Sequence, residues 1–528
     1  MGTTSAVQAA GWRSDRVSAM ALFVLLGAGF LLRLRLAWMT FLNPDEALHY
    51  YLAQQPSLKL AYEASLTTAH PPLMILFLHC WSVLGKPELW LRLPFVVAGT
   101  LFCWVMFLWI RQVGTSCAAW FALALFTFSP PLISLSAELR QYAFLLLFCS
   151  SALCFLERAL KESSAVWMLF SAITLWLALL THYSALIFAA VIGVYALIRI
   201  LRTKLAALPI TAWIFGQAIA LAICAFLYES QISKLRQMGL PSEIAATWLR
   251  SSIFQPGHDH FLTFAWSKSV RLFRYFFSNG TVGLLGICLF LFALLSILLS
   301  SERRQRHALG TLLLLPLLIA LGAAIAAVYP YGGTRHDVLL AIFVVPAISI
   351  GLDHIPILSK WLKASFVVCA LLIGNFRPSP TGPYIRPRNQ RREFMQQATT
   401  SLRSLPANSV IFTDDQGSMV LNYYLCGESM PLPFYSQKQS FLALRCGDHD
   451  VIVATGTQAG FDRTKFPDEL AGAWKQVPEA AALDVFQSGW IDDREEEWLG
   501  ELRALGGSPQ SFGPNVLICR MERPYSLR

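Results

Sequence analysis

From Met20 almost to Phe376 the chain alternates apolar stretches with short polar breaks that hold much of its Lys and Arg. Some twenty mainly apolar residues cross a hydrocarbon core, so each stretch is expected to be a membrane-spanning helix. Eleven are expected, near Met20 to Trp38, Leu91 to Ile110, Cys117 to Ser136, Gln141 to Leu156, Val166 to Leu180, Ala185 to Ile200, Pro209 to Leu227, Val282 to Leu299, Ala308 to Val328, Val338 to Leu352 and Trp361 to Phe376. With the N-terminus inside, Arg111, Arg158 with Lys161, Arg199 with Arg202 and Lys204, Arg303 with Arg304 and Arg306, and Lys360 with Lys363 all fall on the cytoplasmic side. That is the distribution the positive-inside rule asks for, and one missed or invented helix would spoil it.

The pattern changes at both ends. Arg13 and Arg16 precede the first apolar run as in a signal peptide, yet the run continues past Arg33 without a small-residue cleavage site and reads as a retained helix. In the first outward loop, Asn43 to Trp90, the stretch Pro71 to Leu84 is apolar but short for a crossing and reads as a juxtamembrane segment. After Phe376 the prolines 378, 380, 383 and 387 mark a linker. Beyond it Val410 to Thr413, Val451 to Ala454 and Val516 to Cys519 read as strands and Glu495 to Leu505 as a helix, a small α/β domain. The expected division is a cytoplasmic N-terminus (1–16), a transmembrane domain (17–376) and an extracytoplasmic α/β domain (377–528), without internal repeat.

Composition agrees: 55% of the residues are hydrophobic and 14% charged, far from an ordinary soluble domain. The formal net charge of +10 needs no nucleic-acid partner, because membrane proteins gather Lys and Arg in cytoplasmic loops. Most cysteines lie inside apolar runs as small core residues; Cys426 and Cys446, in the polar tail, are candidates for a disulfide.

Polar residues at the outward lips of the spans are the candidates for chemistry. Asp45 and Glu46 follow the first span directly, where acids also suit the first turn of a helix. Glu138, Arg140 and Tyr142 sit at the next outward turn, where an acid and an arginine can equally snorkel to the interface. Arg335 and His336 follow a Gly332-Gly333 pair, and Lys234, Arg236, Arg250, Lys268, Arg271 and Arg274 make a basic outward loop, with Arg33 and Arg35 as weaker candidates. Guanidinium groups match phosphate oxygens by bidentate geometry, so the arginines are candidates for a phosphate, with simple snorkelling toward anionic headgroups the alternative for the loop. His258-Asp259-His260 lacks the partner motif of a metal site.

Taken together, Asp45-Glu46, His70-Pro71-Pro72-Leu73, Leu91-Arg92-Leu93-Pro94, Glu138-x-Arg140-x-Tyr142 and Thr181-His182-Tyr183 resemble the protein O-mannosyltransferase and aminoarabinose transferase family of GT-C enzymes, the PMT-like glycosyltransferase family 39 type. The resemblance runs from about Val17 to Phe376 and is strongest from Asp45 to Tyr183. Two departures stand out. Ala47-Leu48-His49-Tyr50 replaces the arginine that follows the acids in aminoarabinose enzymes, and Thr68-Ala69 replaces the aspartate before the His-Pro-Pro segment of mannosyltransferases.

The resemblance implies an α-helical polytopic GT-C-like bundle of about eleven transmembrane helices, with juxtamembrane helices in the first outer loop and an extracytoplasmic site, in a membrane of the bacterial inner or plasma type. A polyprenyl-phosphate sugar donor would pass its sugar, with inversion, to a hydroxyl of a lipid, glycan or protein, with membrane lipids around it and no nucleic acid. Asp45 is expected to be the general base, Glu46 an orienting or substrate-contact acid and Glu138 the second acid. Arg140, Arg335 and His336 are expected at the donor phosphate, with His70, Tyr142 and His182 lining the site. No cofactor is required by this scheme; Asp45 with Glu138 could hold a divalent cation, and the sequence leaves metal dependence open. The rival expectation is a multi-span transporter or lipid flippase, which would place charges near the membrane midplane in two related halves.

Overall fold

The computed structural model describes residues 3–237, 239, 249–299, 303–378, 389–427, 440–455, 461, 463–489 and 495–523. Prolines 380, 383 and 387 and Ser301 lie outside the described residues, and so do the side chains of Arg13, Arg16, Arg303, Arg304 and Arg306. Each expected span is a helix: α1 (Thr3–Met39), α5 (Glu88–Val113), the pair α6 (Ser116–Phe128) and α7 (Pro130–Ser136), α8 (Tyr142–Glu162), α9 (Ala165–Leu179), α10 (Ala185–Arg202), α11 (Ala207–Leu227), then Gly280–Leu298, Arg303–Ile325, Ala341–Asp353 and Lys360–Phe376. Among the described residues eight helices are long and apolar enough to cross a membrane, and α6 with α7, bent by 59°, makes a ninth. Shorter are α9, with 15 residues, and Lys360–Phe376, with 17. The first loop folds into three short helices, α2 (Pro44–Ala53), α3 (Leu58–Ser65) and α4 (Leu73–Ser82).

Prolines explain where two arginines go. Pro130 and Pro131 bring no N–H, which strands the carbonyls of Phe126 and Thr127 four residues back. Arg33, fully buried on α1, donates to both at 3.2 and 3.1 Å, and also to the Gly29 carbonyl at 3.1 Å. Arg33 is therefore an architectural residue at the α6–α7 bend, a correction to its place among the phosphate candidates. Pro94 in α5 strands the Trp90 carbonyl in the same way, and the Trp81 indole on α4 donates to it at 2.9 Å.

The tail forms a six-stranded sheet of order β2-β3-β1-β4-β6-β5, with β1 (Val410–Asp414), β2 (Phe441–Cys446), β3 (His449–Ala454), β4 (Ala482–Ser488), β5 (Gly507–Gly513) and β6 (Val516–Glu522). The central β1 runs parallel to β3 and β4, and the remaining pairs are antiparallel. Alternation divides its two faces. Phe412, Leu483 and Val485 pack with Phe466, Trp474 and Trp498 from the helices Phe466–Gln476 and Glu495–Ala504. Ile411, Phe486 and Ile518 share one core with Phe41, Ala47 and Tyr51 of the first loop. The helix Asp415–Leu421 lies against α2, and a disulfide joins Cys426 to Cys446. The helix that carries Asp45 is thus packed as a layer of the α/β domain.

Candidate active site

Asn43 caps α2: its side chain accepts the Glu46 N–H at 3.1 Å while the Glu46 carboxylate takes the Asn43 N–H at 3.1 Å, and Pro44 fills the first helical position. Glu46 is 0% exposed, and Arg92 of α5 meets its two oxygens at 2.7 and 2.6 Å. The same guanidinium serves the carbonyls of Ala37, Thr40 and Phe41 at the end of α1, at 2.7 to 2.8 Å. Glu46 also accepts the Leu139 N–H at 2.7 Å. With those bonds it stands behind the site and holds three segments together, rather than facing a substrate as an exposed acid would.

Asp45, one residue earlier, faces the other way and is 26% exposed. Its carboxylate bridges two guanidinium groups, pairing closely with Arg140 and with Arg335 at 2.8 Å. Burial alone would raise its pKa, but Arg140 and Arg335 outweigh that and hold the carboxyl well below the usual range. Glu138 shows the opposite balance. Burial first, and the Glu46 charge next, push it up to about 7 against the pull of Arg140 and Arg335. One of its oxygens meets the Ser134 hydroxyl at 3.3 Å, and the other is buried without a partner among the described residues.

Around these charges runs a row of aromatic rings. His49 and His70 lie 5.8 Å apart between centroids, His70 and His182 stack at 5.5 Å, and His182 lies 5.4 Å from Tyr142 and 6.4 Å from His336. Tyr142 also carries the Arg140 guanidinium, 5.3 Å from its ring centre. Burial and then Arg140 push His49 and His182 down to about 3, so both are neutral imidazoles. His182 Nδ1 accepts the Ser184 N–H at 3.1 Å, which leaves the proton on Nε2. Gln231, fully buried where α11 ends in a π-turn, clamps the segment before His70 by donating to the carbonyls of Ser65, Thr68 and His70 at 3.1, 2.6 and 2.9 Å.

The structure thus brings Asp45, Glu138, Arg140, Arg335, His336, His70, Tyr142 and His182 to one end of the bundle and sets Glu46 just behind them. Of the other basic candidates, Lys234, Arg236, Arg250 and Arg35 are exposed, while the Lys268 side chain and the Arg271 backbone pack against the Gly332-Gly333 turn and the backbone of Arg274 packs against Gly283. His258, Asp259 and His260 form an exposed turn in which Asp259 accepts the Gln255 N–H at 2.9 Å. Among the described residues no three His, Cys, Asp or Glu side chains are grouped so as to hold a metal ion, and two guanidinium groups span Asp45.

Residues 69–228 match the family described as dolichyl-phosphate-mannose-protein mannosyltransferase. Over 98% of its length the chain superposes on 99% of ArnT from Cupriavidus metallidurans bound to undecaprenyl phosphate, with 14% identity and a TM-score of 0.53. The fold is that of the PMT-like GT-C class. Apo ArnT gives a TM-score of 0.52 at 10% identity, with 95% of this chain and 98% of that one covered. The Archaeoglobus fulgidus oligosaccharyltransferase in complex with zinc and sulfate gives 0.51 at 12% identity, with 90% of this chain on 69% of that one. In its form tethered with an acceptor peptide, the same oligosaccharyltransferase is spanned over 63% of its length. No curated protein sequence matches the chain.

Within this GT-C fold, three residues around the site had no role in the sequence reading. His49 is the most legible of them, since it stands four residues after Asp45 and so on the same helical face. Arg92 and Gln231 carry no such mark. Arg92 stands in the Leu91-Arg92-Leu93-Pro94 segment, but its bonds to Glu46 and to the carbonyls that end α1, like those of Gln231 to the carbonyls before His70, join segments far apart in the chain.

Proposed function

We propose that the chain transfers a sugar from a polyprenyl-phosphate donor to an acceptor hydroxyl at the extracytoplasmic membrane face. The observation that carries this reading is the Asp45 carboxylate set against Arg140 and Arg335, one acid and two guanidinium cations at the mouth of a helical bundle. The mannosyltransferase family match and the undecaprenyl phosphate of the ArnT relative support the donor class. The positive-inside rule supports the side of the membrane, because Arg111, Lys161, Arg202 and Lys204 lie across the bundle from the site.

In the reaction, Asp45 accepts the proton of the acceptor hydroxyl as its oxygen bonds to the anomeric carbon. The bond from that carbon to the phosphate oxygen breaks on the opposite face, which inverts the centre. Arg140 and Arg335 neutralise the departing phosphate, and the neutral His182 offers its Nε2–H as a further donor. Glu138, with a pKa near neutrality, is suited to exchange a proton with the departing group. The test incubates purified protein with a panel of polyprenyl-phosphate sugars and an envelope extract as acceptor, and follows each donor by mass spectrometry. Consumption of one donor with release of polyprenyl phosphate is expected; no donor consumed by folded protein contradicts the reading.

A further inference from the structure

An acceptor's base should be free to take a proton, yet Asp45 is gripped on two sides. Arg140 reaches it from the 137–141 segment and Arg335 from the turn before Ala341–Asp353, so the carboxylate joins three elements that the chain brings together from far apart. Carboxylate and phosphate oxygens are interchangeable partners for a guanidinium fork. Arg140 is 3% exposed and lies over the Tyr142 ring, so a phosphate that it serves has to arrive beside Asp45. Its Nε–H has no acceptor among the described residues, which leaves a buried donor beside the Asp45 bond. A second anion arriving at this pair meets Asp45 as a competitor.

We infer that the donor phosphate and the Asp45 carboxylate compete for the same two guanidinium groups, so that donor binding itself releases Asp45 to act on the acceptor. This rests on the sugar transfer proposed above and adds an order to it. Before the donor arrives Asp45 is a poor base, held in its ionised form by two cations. As the phosphate takes a share of the N–H donors and charge of Arg140 and Arg335, the carboxylate loses part of that hold and gains basicity where the acceptor hydroxyl must lose its proton. An acceptor binding first meets a carboxylate already committed to arginine. Wasteful transfer of protons without a donor in place is thereby suppressed, and substrates bind in a fixed order, donor before acceptor.

The competition has a signature that a simple catalytic role lacks: removing the Asp45 charge should damage turnover and improve phosphate binding. The probe is farnesyl phosphate, with farnesol as its uncharged control, titrated into full-length protein in detergent while intrinsic tryptophan fluorescence is followed. Asp45→Asn should bind farnesyl phosphate about tenfold more tightly than the parent, within the ordinary range of coupling between two sites, and farnesol equally well. Asp45→Ser gives the same answer should the amide variant fail to fold. In an Arg140→Ala, Arg335→Ala background the gain should shrink towards nothing, because the shared partners are gone. Unchanged or weaker phosphate binding in Asp45→Asn overturns the inference, and so does a gain that survives undiminished without the two arginines, which would be plain repulsion between anions. If the parent binds farnesyl phosphate no better than farnesol, the donor reading fails and takes the inference with it.

Discussion

Two neighbouring acids in one helix have opposite fates, and the difference is made by which arginine each one meets. Glu46 is closed off by Arg92, whereas Asp45 opens to Arg140 and Arg335 at the surface of the site. The sequence marks Asp45, Glu138 and Arg140 as candidates because polar residues at the lip of a span want a reason. Only the family resemblance divides the two acids there, since Arg92 comes from another helix and only the folded chain brings it to Glu46. Glu138 carries a prediction of its own. Its folded pKa, about 7, lies above the ordinary glutamate value, so the folded state keeps a proton that the unfolded chain gives up first. Stability attributable to this residue is therefore fully present at low pH, falls between about pH 4.3 and 7, and stays reduced above that window. Glu138→Gln removes the penalty, so its unfolding temperature should exceed the parent's at pH 8 and converge with it near pH 5. Equal differences at both pH values would show that Glu138 does not titrate as described. For Arg335, the lysine variant keeps the charge but loses the planar fork, and it should weaken donor use more than acceptor use in steady-state kinetics.

At the scale of elements, the turn that presents Arg335 is held by its neighbours. Gly333 has φ of +79°, and a Cβ there would come within 2.3 Å of the Arg271 carbonyl oxygen on the helix Phe261–Phe277. The Asp337 carboxylate gathers the N–H groups of Gly333 and Thr334 at 3.0 and 2.9 Å. Gly333→Ala should therefore push Arg335 away from Asp45 and lower turnover, with a stability cost of about 1–3 kcal/mol in thermal unfolding. An alanine variant with parental activity would mean that the turn tolerates movement. Most of the helical layout was legible, because long apolar runs and charge clusters report directly on burial in lipid. The bend between α6 and α7 was not, although Ser129-Pro130-Pro131 stands in the sequence, since Arg33 is what makes the stranded carbonyls tolerable there. In the tail, β1, β3 and β6 show as apolar β-branched runs. β5, with Gly507, Ser508, Pro509 and Gln510, is a half-exposed edge strand with no apolar signal to read.

At the scale of the molecule, the α/β domain and the first loop share a core, so the domain bears on the helix that carries Asp45. Tyr424 shows the connection: its hydroxyl accepts the Leu42 N–H at 2.8 Å and donates to Glu88, just ahead of α2 and at the start of α5. Tyr424→Phe strands the Leu42 N–H and leaves Glu88 with Arg392 alone among the described residues, and it should cost about 1–3 kcal/mol in unfolding, with lower turnover because α2 loses its anchor. The charge pattern predicts the membrane orientation proposed above. Single cysteines at His258 and Ser404 should react with an impermeant reagent added outside whole cells, and one at Thr203 should not; the reverse pattern would invert the protein. The most direct test of the central claim is turnover by Asp45→Asn with the donor that the parent consumes. Loss of a general base should cut the rate by roughly 10² to 10⁴, while the unfolding temperature stays close to the parent's. Near-parental turnover in folded Asp45→Asn protein would contradict the account and leave Asp45 as the second residue of a capped helix.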